Sequence, residues 1–394
     1  STGTQDLYAF GADGFTVGSD FQTLCNTNGS TFVAWNWKGS DTPTKTFVVT
    51  VTDPGSGNRY TLDGKVSGTN AMPITIEEGG TYTFDQSDNT NSGHPLRFST
   101  TSNGTWGGGS EYTTGVTTNG TPGNAGAYTR ITVAASAPTL YYYCTNHSGM
   151  GAAITTPGSG GGVSDLSGTI ASVVNANTTA GFSIVSYTGT GSTTTMGHGL
   201  SVAPELLIVK NRTDASTAWQ VGSDALTSWL YYITLSSTAA QNTNTQMWNS
   251  TAPTSSVFTV KDAGDVNTDA KNYIAYCFHS VDGYSKVGSY EGNGNADGSF
   301  IYLGFKPEFF LIKNVDATEA WEVWDGTREP HNKLSKKISP NTDNAEYTAN
   351  TTTYAIDFLS NGVKLRTSYS AVNGSNTFLY YAVASSPFKT SNAR

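Results

Sequence analysis

The chain is poor in charge, in cysteine and in long apolar runs, and each shortage removes a class of protein. Only 13% of its 394 residues are charged, and 21 Lys and Arg face 30 Asp and Glu for a formal net charge of −9. An acidic chain with no basic run lacks the electrostatic footprint of a nucleic-acid partner. Lys336-Lys337 is the nearest approach and reads as a solvated turn. Three cysteines, Cys25, Cys144 and Cys277, form no even framework, which excludes a disulfide-stapled scaffold. Cys277, within Tyr273-Ile274-Ala275-Tyr276-Cys277-Phe278, reads as a small buried apolar residue, whereas Cys25 sits in a polar loop and carries no readable role. Nothing approaches the roughly 20 apolar residues of a spanning helix, so no membrane insertion is expected. No signal peptide is visible in the polar sequence that opens at Ser1. Also missing are a nucleophile elbow, a phosphate loop and a zinc-protease helix, and the scattered acids do not pair into a glycosidase site. The expectation is a protein that is not an enzyme.

What the chain holds in quantity is glycine, 44 residues, with Thr, Ser and Asn in nearly every segment. No segment carries apolar residues at helical spacing. Short aromatic and β-branched runs alternate instead with Asn-Gly, Asp-Gly and Ser-Gly turn signals, which predicts an all-β fold.

Internal repetition organises the second half. Pro204-Glu205-Leu206-Leu207-Ile208-Val209-Lys210-Asn211 recurs as Pro307-Glu308-Phe309-Phe310-Leu311-Ile312-Lys313-Asn314. Ahead of each copy stands a matching strand, Gly181 to Tyr187 and Gly283 to Tyr290. Behind each come a tryptophan strand, at Trp219 and Trp321, and a closing aromatic strand, Asn272 to Tyr276 and Thr377 to Tyr381. The continuous run Leu206 to Val209 predicts a strand covered on both faces. Glu205 and Glu308, each after Pro at a strand entrance, read as structural. Phe10 to Val17 matches Phe358 to Leu365, and Thr31 to Trp35 matches Thr377 to Tyr381. Residues 1–38 are therefore expected to be the back end of a further unit, completed by a longer chain or by a neighbour. The expected order is 1–38, then 39–157, a Gly/Ser linker from Pro157 to Gly162, and tandem β-sandwich-like repeats at 158–282 and 283–394.

Cys144-Thr145-Asn146-His147-Ser148-Gly149-Met150, with His94 upstream, offers one thiol, two imidazoles and a thioether. That donor set suits copper, because a soft thiolate and two imidazoles form its trigonal plane and a thioether its weak axial ligand. Ile74 to Phe84 reads as two short strands around a Glu-Gly-Gly turn, and Leu140-Tyr141-Tyr142-Tyr143 delivers Cys144 from a strand end. On these residues the segment 39–157 resembles a cupredoxin, a Greek-key sandwich. The resemblance implies His94, Cys144 and His147 as equatorial copper ligands and Met150 as the axial one. His94-Pro95-Leu96 departs from the commonest cupredoxin phrase, which bears on the orientation of the His94 ring. His198 reads as a turn residue satisfied by backbone, His279 and His331 stand alone, and Glu291 to Gly298 reads as a hairpin loop.

The phrases Gly181 to Gly191, Gly197-His198-Gly199-Leu200 and Pro204 to Asn211, with the ending Ser386-Pro387-Phe388 to Asn392-Ala393-Arg394, are similar to β-domains of marine tailed-bacteriophage structural proteins. The resemblance implies a virion component, whether fibre, tail-associated adhesin or capsid-surface protein, that assembles with itself and other virion proteins. Exposed aromatics, Trp106 among glycines or Trp229-Leu230-Tyr231-Tyr232, would suit a host surface glycan, although core packing or subunit contact is the plainer reading of the second group. Two rival readings are a blue-copper electron-transfer protein with accessory β-domains and a glycan-degrading tailspike.

Overall fold

A computed structural model of the chain describes residues 7–10, 15–18, 26–39, 43–158, 160–347 and 352–386. Cys25 and the closing phrase from Pro387 onward lie outside them. Contacts separate Ser1–Lys38 from Gly39–Arg394. In the first unit Leu7–Phe10 pairs antiparallel with Phe15–Val17, the counterpart of the pairing of Ile356–Leu359 with Gly362–Leu365. Thr31 to Trp35 does not form the expected strand; residues 30–39 carry no regular secondary structure. The matching strand Thr377–Ala384 is held between two neighbours, and the described residues of the short unit supply neither.

The described residues of the larger unit are mainly β, with two single-turn α-helices, Gly264–Asn267 and Ser370–Asn373, and two short 3-10 turns, Asn89–Asn91 and Gly104–Gly107. Its first part is a sandwich. Five strands run in the order Val116–Asn119, Tyr128–Thr132, Thr81–Asp85, Thr44–Thr52, Arg59–Leu62; four others run Ile74–Thr75, Ala153–Thr155, Leu140–Cys144, Leu96–Ser99. Alternation drives the packing: in Thr81–Asp85 the rings of Tyr82 and Phe84 are buried while Thr81, Thr83 and Asp85 are half-exposed. Phe47, Tyr60, Phe84, Phe98 and Tyr142 fill the space between the sheets. The expected strands around Glu77-Glu78-Gly79-Gly80 both form, but they join different sheets. Gly80 lets the chain cross, since a Cβ there would stand 2.2 Å from the Tyr82 hydroxyl. Val163 and Leu166, beyond the Pro157 to Gly162 linker, also pack into this core.

Each repeat lays a main sheet over a smaller one. In the first, Asn272–Phe278 lies between Phe182–Thr188 and Leu206–Asn211; in the second, Thr377–Ala384 lies between Ser285–Glu291 and Pro307–Asn314. The registers agree, with Ile208 opposite Tyr276 and Leu311 opposite Tyr381. Thr194–Gly197 with Val257–Val260 covers the first core, and Phe300–Tyr302, Gly362–Leu365 and Ile356–Leu359 cover the second.

The run Leu206 to Val209 is not covered on both faces, because Ile208 is half-exposed; its counterpart Pro307–Asn314 is buried on both. Lys337 is no solvated turn residue. Its Nζ lies 2.8 Å from the buried Glu322 carboxylate and 2.7 Å from Ser339 Oγ, because a strand interior that buries a carboxylate must supply a cation.

Candidate metal centre

Strand Leu140–Cys144 buries Leu140, Tyr142, Tyr143 and Cys144, and its last residue turns the thiol inward. Cys144 Sγ lies 3.8 Å from His94 Nδ1 and 3.6 Å from His147 Nδ1. All three donor atoms fall within 4.8 Å of one another, and among the described residues no other trio of His, Cys, Asp or Glu converges in this way. A thiolate and an imidazole nitrogen about 2.3 and about 2.0 Å from one ion, at trigonal angles, stand about 3.7 Å apart. The two thiol–imidazole separations bracket that value, so each imidazole stands from the thiol as a shared ion would require, and the trio could hold a metal ion. Met150 is buried in the same core as Cys144, and its main-chain oxygen accepts from Tyr60 N at 2.9 Å.

The three groups differ in exposure: Cys144 is buried, His94 half-buried and His147 exposed. Burial first, and the neighbouring His147 second, hold the His94 imidazole below its ordinary range. That favours the neutral ring a metal requires. The two rings tilt at 44° with centroids 4.5 Å apart.

Residues distant in sequence hold this arrangement. The His94 main-chain oxygen accepts from Tyr60 Oη at 2.7 Å and from Gln86 Nε2 at 2.8 Å. His94 N donates to Asn91 O, and the buried Asn91 amide donates to Val49 O. Pro95 leaves no N–H beside His94, but its oxygen accepts from Thr145 N at 3.1 Å and so ties the two ligand loops together. Asn146 Nδ2 adds a bond to Gly93 O. On the other side Asn103 accepts from Gly149 N and donates to Ser148 Oγ. Trp106 Nε1 donates to Cys144 O while 52% of the residue stays exposed. Tyr60, Gln86, Asn91 and Asn103 were not singled out by sequence. Each acts across at least one loop, and no local motif marks them.

The other singled-out residues fall elsewhere. His198 is buried, its Nδ1 accepting from Leu200 N and its Nε2 3.1 Å from Thr254 O. Trp229 is buried, with its indole N–H on Asp224, so it presents no face to a sugar. Glu205 accepts from the Ser280 N–H and hydroxyl, and Glu308 from the Thr327 hydroxyl. Cys277 is fully buried and burial pushes its thiol up to about 12. In Glu291 to Gly298 the Asn373 amide occupies the oxygens of Asn293 and Asn295. No helix among the described residues is long and apolar enough to cross a membrane.

Fold and site together define a multi-sheet β protein whose first sandwich carries a cluster of one thiol and two imidazoles. Residues 146–387 match the family described as a domain of unknown function, DUF7483, and the chain belongs to that family. The match takes in both repeats and starts inside the ligand loop, past Cys144. No curated protein matches the chain.

Proposed function

We propose that the chain is a structural component of a tailed-phage particle in which residues 39–157 form a cupredoxin-type module holding one copper ion. The observation that carries the metal reading is the convergence of Cys144 Sγ with the Nδ1 atoms of His94 and His147 at 3.8 and 3.6 Å. Bound copper would supply one-electron exchange. The protein's part is positional: buried Cys144 provides the thiolate, Tyr60 and Gln86 fix the backbone under His94, and Asn103 and Trp106 pin the loop that carries His147. Met150, buried in the same core as Cys144, would offer the thioether. The particle reading rests on the resemblance of the repeat phrases to phage β-domains and on the tandem repeats, whose sheets suit a self-assembling chain. Trp106 is one exposed aromatic that would be available to a host glycan.

The test of the metal reading is the visible absorption spectrum of purified protein with Cu(II), beside Cys144→Ser. An intense thiolate-to-copper band, absent in the variant, is expected; a colourless protein that binds no copper ends this reading. Mass spectrometry of purified particles tests the particle role, which fails if the chain is present in infected lysate and absent from particles.

A further inference from the structure

The two repeats share a register but not the fate of their outer faces. On the second repeat that face consists of Leu311, Lys313, Trp321, Leu379 and Tyr381, and every one is buried, Lys313 to 0% exposure. The cover comes from the first repeat. Trp321 Nε1 donates to Thr234 O at 3.0 Å, Lys313 Nζ to Thr238 O at 3.2 Å, and Gln241 N to Val315 O at 2.7 Å. The Phe278 ring lies 4.9 Å from that of Tyr381, tilted at 52°. The loop 234–241 of one repeat thus seats on the outer face of the next.

The first repeat carries the same face. Ile208, Lys210, Trp219, Ile274 and Tyr276 occupy the matching positions, and all are half-exposed. Trp219 and Tyr276 lie stacked at 20°. Lys210 Nζ reaches Asp214 O and Thr217 O, as Lys313 Nζ reaches Ala317 O, but its outward acceptor is missing from the pattern. The second repeat in turn carries the matching loop. Val221 pairs Ile233 and Tyr232 pairs Asn242; Val323 pairs Ile338 and Lys337 pairs Tyr347. The loops between, 234–241 and 339–346, are therefore equal in length. Asp343, an exposed residue, stands where Thr238 stands; Thr238 meets Lys313 with its main-chain oxygen, an acceptor that Asp343 offers as well, beside its carboxylate. Asp343 would meet Lys210.

We infer that the Ile208–Trp219–Tyr276 face of one chain receives the 339–346 loop of a second copy, repeating between chains the contact seen within one. Such a contact is heterologous, so it propagates head to tail into rings or filaments. It stands apart from the metal pocket and supplies the particle reading with a specific self-contact.

Sedimentation velocity of the full chain over a concentration series tests it, with Ile208→Glu on the face and Asp343→Lys on the loop. The wild type assembles beyond dimers, and each variant alone weakens association about tenfold or more, about 1.4 kcal/mol. Mixed, the two variants form dimers and stop, since each retains one working surface. A wild type monomeric throughout, or assembly unchanged by both variants, overturns the inference. Asp343→Lys lies on an exposed loop, so it keeps the test informative should Ile208→Glu unfold. Copper binding unaffected by either variant separates this outcome from that of the metal reading.

Discussion

The Tyr60 hydroxyl donates to the His94 main-chain oxygen at 2.7 Å, so a core aromatic of one sheet sets the backbone under an imidazole at the sandwich end. Tyr60 is fully buried, and burial first, the Cys144 thiol second, push its phenol pKa up. It therefore remains a donor at any working pH. Tyr60→Phe keeps the ring and removes the hydrogen bond. Groups that orient metal ligands typically contribute 10- to 100-fold in affinity, so a loss of about that size is expected in Cu(II) titrations, with the melting temperature little changed. Unaltered affinity would make the contact purely architectural.

Gln86 is buried and serves both chain directions, donating to His94 O and accepting from Leu96 N. Gln86→Leu leaves both partners without that bond. His94 O keeps the Tyr60 hydroxyl, so only Leu96 N loses its side-chain acceptor; an orphaned buried group costs about 1–3 kcal/mol, and urea unfolding should show a loss of about that size for the first sandwich. A change below about 0.5 kcal/mol, the scale of ordinary surface substitutions, would show that the groups find other partners.

Glu322, Lys337 and Ser339 form a buried charged cluster, and Lys337 also lies 4.5 Å from the Tyr354 ring centre. Burial raises the Glu322 carboxyl in spite of its lysine. Glu322→Ala strands the ammonium and should cost about 3–5 kcal/mol. Adding Lys337→Met should recover a large part, because the pair is replaced rather than broken. A double variant no more stable than the single one would contradict this account.

Lys313 gives a pH signature. Burial pushes its ammonium down to about 8, with Glu319 opposing, while an unfolded chain keeps a lysine near 10.4. Between those values the unfolded state holds the extra proton, so stability rises with pH across that window and is lower below it. Chemical unfolding from pH 7 to pH 10.5 should show this rise in the wild type and a flatter profile in Lys313→Met. Parallel profiles would place the titration elsewhere.

How far the sequence reached depended on whether the signal was local. The strands of the repeats were legible because each sits in a short run whose apolar residues alternate or repeat, from Pro204 and again from Pro307. Two of the donor trio, Cys144 and His147, were legible through their spacing with Met150, and His94 through the cupredoxin resemblance. Burial on both faces at Leu206 to Val209 was misread, since composition cannot tell a strand covered by a neighbouring repeat from one whose outer face awaits a partner. Lys337 was misread for the same reason: its carboxylate partner, Glu322, lies on another strand. Tyr60, Gln86 and Asn103 escaped because a buried tyrosine or amide looks the same in sequence whether it supports a site or a turn.

Trp106, with its ring in solvent and its N–H on Cys144 O, also gives the pocket a built-in lamp. Its emission should be red-shifted and open to quenching by an ion held at Cys144, whereas Trp248, Trp321 and Trp324 are buried in the repeats and half-exposed Trp219 sits on the first of them. Loading of the pocket can then be followed by fluorescence at concentrations far too low for colour, and separately from the unfolding of the rest of the chain.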